Sequence, residues 1–113
     1  MKKLLLLKIC FVLLLTTFSS VYAGDCFKDR DVDDCRVKAA QGHASAQYNL
    51  GQMYRTGDGV VQDDVMAHMF FNIAAVNGDK DAITNRGNAE KRMTPSQLEK
   101  AQDLAREWMR THQ

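Results

Sequence analysis

Gly42-His43-Ala44-Ser45-Ala46 and Gly78-Asp79-Lys80-Asp81-Ala82 share one frame at an offset of 36 residues. The same offset sets Gly51 on Gly87 and Ala39 on Ala75. Between the two fragments an amphipathic segment breaks at Gly57-Asp58-Gly59, resumes, and stops at Asn77-Gly78, so each period holds two helices. A period in the thirties built this way predicts stacked helical hairpins, each burying against its neighbour a face it could not bury alone. No segment alternates in the manner of a β-strand. The expected fold is all-α: antiparallel helix-hairpin repeats in a short α/α solenoid of about five helices.

Residues 1–23 read as a leader outside that array. Lys2 and Lys3 form a basic start, Leu4 to Thr16 is apolar apart from Lys8, and Val21 and Ala23 occupy the two positions a signal peptidase reads. The apolar run is shorter than the roughly 20 residues of a spanning helix. The expectation is a signal peptide cleaved after Ala23, no stable membrane anchor thereafter, and a periplasmic or secreted protein. Without residues 1–23, 90 of the 113 residues remain, enough for one small domain. Their 12 basic and 14 acidic residues give a net charge of −2. A slightly acidic chain without a basic stripe argues against nucleic acid or anionic lipid as a partner.

Cys10 belongs to the leader, which leaves Cys26 and Cys35. An even count in an exported chain predicts one disulfide. On one continuous helix the two would lie roughly 13 Å apart, beyond bridging distance. Cys26 is therefore expected on a non-helical lead-in that folds back onto the helix carrying Cys35. A redox-active pair would prefer closer spacing and electropositive surroundings, whereas Asp29, Asp31, Asp33 and Asp34 intervene here. A structural staple is expected.

A short helix is expected from about Asp31 to Gln41, acidic at its start, basic at Arg36 and Lys38, and stopped by Gly42. The next runs from about His43 to Thr56, with Ala46, Leu50, Met53 and Tyr54 on its apolar stripe. Gly51 inside it makes sense where another helix must approach closely. Gly57 and Gly59 turn the chain. Asp63 or Asp64 caps a third helix to Asn77, whose expected core face is Ala67, Phe70, Phe71, Ala74 and Ala75. That leaves Met69 and Ile73 as exposed apolar candidates, a contact patch or a loose edge. A fourth helix, about Lys80 to Arg92, is more polar than its counterpart, as suits a closing repeat that faces water. Thr94-Pro95-Ser96-Gln97 is a capping box for the last helix, whose stripe is Leu98, Ala101, Leu104, Ala105 and Trp108.

The run Leu50-Gly51-x-x-Tyr54, Gly57-x-Gly59-Val60, Asp63, Ala67, Phe70, Ala74-Ala75, Gly78, Ala82 resembles the Sel-one-like repeats (SLR), short relatives of the tetratricopeptide repeat. Lys38 to Gly42 looks like the tail of a preceding truncated repeat, and residues 79–112 like a degenerate closing repeat with a shortened loop. The domain division expected is a disulfide-stapled half repeat at 24–42, a complete repeat at 43–78 and a capping repeat at 79–113. The resemblance implies antiparallel helix pairs curving into a superhelix that serves as a scaffold for protein partners, with bacterial members often exported. A cysteine-rich branch of the family, linked to β-lactam binding and hydrolysis, places a cysteine pair in each repeat. In this chain the single pair precedes the complete repeat, so a cell-wall enzyme or β-lactam binder stands as the alternative to a protein-binding adaptor.

No catalytic, cofactor or metal site is expected. His43, His68 and His112 lack the spacing of a helical metal site, and Gly57 and Gly59 lack the Lys and Ser/Thr of a phosphate loop. Ser45 and Ser96 have no nucleophile context. The remaining candidate is a surface for a protein partner. Ser45, Asn49 and Gln52 lie beside the apolar stripe of their helix and map at the 36-residue offset onto Asp81, Asn85 and Asn88. Such a ladder is either a partner groove or an ordinary solvated face.

Overall fold

Asp31, Asp63 and Asp79 each begin a helix in the same way. Their carboxylates accept from the backbone N–H three residues on, at 3.0, 3.1 and 2.9 Å, which satisfies a donor the helix itself cannot. The computed structural model describes residues 25–112, and the leader with its expected cleavage point lies outside them. Among the described residues there are five helices and no strand. They are α1 (Val32–Ala40), α2 (Ala44–Thr56), α3 (Asp64–Val76), α4 (Lys80–Glu90) and α5 (Pro95–Thr111). The capping box of α5 is complete: Thr94 Oγ1 accepts from Gln97 N at 3.2 Å, and Gln97 Oε1 accepts from Thr94 N at 2.9 Å. Gly57 ends α2 at φ +76°, a left-handed conformation that suits glycine, and its N–H returns to Met53 O. The fourth helix stops at Glu90, two residues before its expected end.

α2 and α3 form the central hairpin. Gly51 allows it: a Cβ there would lie 2.5 Å from Cδ1 of the buried Phe71, so the ring rests directly on the α2 backbone. The following helix, α4, packs on the other side of α3, with Ala82 and Ala89 fully buried. Arg86 Nη1 donates to Asn72 Oδ1 at 2.7 Å and ties the two helices at the surface.

The closing hairpin departs from the first. α5 packs against α3 rather than against its own hairpin partner α4. This overturns the expectation for Met69 and Ile73, which are 4% and 0% exposed instead of open to solvent. Ala105, Leu104, Trp108 and Met109 of α5 join them in one apolar cluster. The physical reason lies in both helices. The α4 face that would receive α5 carries Thr84, Gly87 and Asn88, whereas α3 offers Met69, Phe70 and Ile73, so the apolar stripe of α5 buries more area on α3. The consequence is a central helix wrapped on several sides, with only Ala75 of its expected core face left half-buried.

At the other end, residues 26–30 form turns and Cys26 reaches Cys35, with their Cα atoms 5.2 Å apart. The expected staple is present. Both cysteines are buried among the α1–α2 contacts, so the bridge pins the lead-in to α1.

Candidate functional site

Gln52, Tyr48 and Asn85 meet across the first helices of the two successive hairpins. The Tyr48 hydroxyl accepts from Gln52 Nε2 at 2.9 Å and from Asn85 Nδ2 at 3.3 Å, which leaves its own O–H free to donate outward. Asn85 Nδ2 also bonds to Asp81 O at 3.0 Å, and Arg55 Nε donates to Gln52 Oε1 at 2.8 Å. The α2–α4 face is thus a pre-set row of polar groups whose positions are fixed by mutual bonds. Of the six expected ladder residues, Gln52 and Asn85 are brought together through Tyr48. Asn49 turns to the lead-in, bonding to Asp25 Oδ1 at 3.2 Å, while Ser45, Asp81 and Asn88 are exposed. Tyr48 is the member that the sequence reading missed. Its place four residues before Gln52, on the same helix face, was the signal for it.

Behind this face two polar side chains are buried. Gln47 is fully buried, donates to Ala39 O at 3.0 Å and accepts from Asn77 Nδ2 at 2.8 Å, linking α1, α2 and the end of α3. His68, 1% exposed, meets Glu90 Oε1 through Nε2 at 2.9 Å. A carboxylate only accepts, so Nε2 carries the proton, and buried Nδ1 has no hydrogen-bond partner. The pair fastens the end of α4 to α3. Neither residue announces this role by its sequence context.

On the opposite side of α2, a pocket of about 280 Å³ opens between α1, α2, α3 and α5. Tyr54 stacks on Phe70 with ring centroids 5.8 Å apart, Trp108 meets Phe70 edge-on at 6.1 Å, and His112 stacks on Trp108 at 4.0 Å. Arg36 stands at the mouth, its Nη2 3.5 Å from the Tyr54 hydroxyl and its Nη1 3.1 Å from Asp33 Oδ1. The Tyr54 bond in particular, and Asp33 after it, strengthen the hold of Arg36 on its proton. Among the described residues no group of three or more His, Cys, Asp or Glu could hold a metal ion, and no helix is long and apolar enough to cross a membrane.

Residues 44–79 match the Sel1 repeat family. The match begins with α2 and ends just past α3, so it frames the hairpin closed by Gly51 and Phe71. That hairpin is a Sel1 repeat. It is similar to the alginate biosynthesis protein AlgK of Azotobacter vinelandii, 25% identical over 83 residues that make up 74% of this chain and 18% of AlgK. Among solved structures it is similar to c5321, a protective antigen of uropathogenic Escherichia coli strains that displays an SLR fold. There the TM-score is 0.69 at 33% identity, over 72% of this chain and 18% of that one. The chain therefore spans under a fifth of either relative's length.

Proposed function

We propose that this Sel1-repeat protein is an exported adaptor of the bacterial envelope that holds a segment of another protein along its α2–α4 face. The observation that carries the reading is the Tyr48 junction. Amide and hydroxyl groups of two successive repeats are already locked in one arrangement, so a bound segment meets donors and acceptors that need no further ordering. The Cys26–Cys35 bridge supports an oxidising compartment, and a protective antigen among the similar structures supports an exported setting. Residues 24–42, 43–78 and 79–113 would act as half repeat, complete repeat and cap, with the leader removed after Ala23. The role is binding rather than catalysis.

Site-specific crosslinking in native cells tests this. A photo-reactive residue is placed at Ser45 or Asn88, both exposed on the proposed face, with Lys100 on α5 as the control position. The expected result is one dominant protein adduct from the two face positions and none from Lys100. Identical adducts from all three positions would remove the proposed face.

A further inference from the structure

We propose that the pocket between α1, α2, α3 and α5 takes the C-terminal residue of a partner polypeptide, its apolar side chain among Tyr54, Phe70 and Trp108 and its carboxylate on Arg36. Three observations lead there. The interior is aromatic and aliphatic, with Met66 and Met69 adding side chains that adapt to the shape of what enters. Arg36 is the one permanently charged side chain among those that line it, and no carboxylate lines it, so the pocket favours an anion and disfavours a cation. Asp33 takes one bond at Nη1 and the Tyr54 hydroxyl one at Nη2, which leaves further N–H groups of the guanidinium for a second carboxylate.

Size then narrows the class. A volume of about 280 Å³ lies just below the range of ordinary small-molecule sites. It suits one residue rather than a folded segment. The guanidinium stands 3.5 Å from the Tyr54 hydroxyl, and the Tyr54 ring is itself stacked on Phe70. The charged and apolar subsites are therefore adjacent, close enough for a single residue to supply both groups. Within a polypeptide, only the C-terminal residue carries an apolar side chain and a carboxylate together. The site lies on the side of α2 away from the Tyr48 junction, so its failure and the failure of the α2–α4 reading are separate results.

Trp108 is the only tryptophan of the chain, so its emission reports on the pocket directly. The mature chain is titrated with N-acetyl-phenylalanine, its neutral amide, and N-acetyl-aspartate. The acid should bind about tenfold more tightly than the amide, as a charge-assisted hydrogen bond implies, and the aspartate derivative should not bind. Arg36→Gln should bring acid and amide to equal affinity, and Arg36→Lys should restore part of the preference. Ala40→Phe, at an exposed position on the lining, should abolish the response without entering the core. Circular dichroism checks that each variant is folded. Equal binding of acid and amide by the parent chain overturns the proposal. So does an aspartate derivative that binds as well as the acid, or a response unchanged in Ala40→Phe.

Discussion

The helix pairs α2–α3 and α4–α5 follow one another in the chain, yet one is closed and the other is open. In the first, Phe71 lies on Gly51 so tightly that a methyl group could not fit between them. In the second, the equivalent glycine, Gly87, has nothing within 4 Å of where its Cβ would be. Counting from the helix caps explains it: Phe71 stands eight residues after Asp63, and the residue eight after Thr94 is the exposed Gln102. The turn between the helices also shortens, from residues 57–63 to residues 91–94. Without a ring to seat on α4, the last helix moves to where its apolar stripe finds more apolar area, on α3. A repeat is thus defined by its inter-helix contact, and copying the glycine alone does not reproduce it.

The sharpest way to break this contrast is Phe71→Ala. Phe71 is fully buried at the hairpin contact, and its loss should cost about 3–5 kcal/mol, read as a lower urea midpoint. Next in size is the Cys26–Cys35 bridge. Cys26→Ser/Cys35→Ser should cost about 2–3 kcal/mol by the chain-entropy model, and reducing agent should lower the Tm of the parent to that of the variant. The two glycines then give opposite signs. Gly51→Ala should destabilise by about 1–3 kcal/mol through overpacking against Phe71, whereas Gly87→Ala should stabilise by up to about 1 kcal/mol from helix propensity alone. Matched thermal melts check both, and equal effects at the two sites would dissolve the comparison. The smallest effect is expected at Glu107 on α5. Arg110 holds its carboxyl below the ordinary value of 4.5, so any stability it adds is present above that value and lost as pH falls through the lowered one. Both side chains are solvated, and Glu107→Gln should leave the Tm unchanged at pH 7.

The local grammar of this fold was legible without coordinates. Asp63 and Thr94 cap where their residue types and spacing place them, Gly57 turns in the left-handed conformation, and Gly51 marks a close approach. The Cys26–Cys35 bridge followed from parity and reach. What escaped was the choice between two partners. Met69 and Ile73 looked exposed because they lie off the stripe of Ala67, Phe70, Phe71, Ala74 and Ala75, and periodicity within one helix does not say which other helix covers it. The buried Gln47 and His68 escaped for a related reason, since their partners Ala39, Asn77 and Glu90 belong to other elements. Of the candidate site, the ladder positions were readable as a face, but its centre at Tyr48 depends on a bond to Asn85 across two hairpins.

The displaced last helix also sets an order in time. Cys26 and Cys35 are nine positions apart, and α1 to α4 each pack chiefly on the helix before or after them, so these contacts close over short loops as the chain emerges. The α3–α5 contact must wait until the whole of α4 has been made and has passed by. A chain released before Trp108 would hold its repeat without the α5 contacts on Met69 and Ile73.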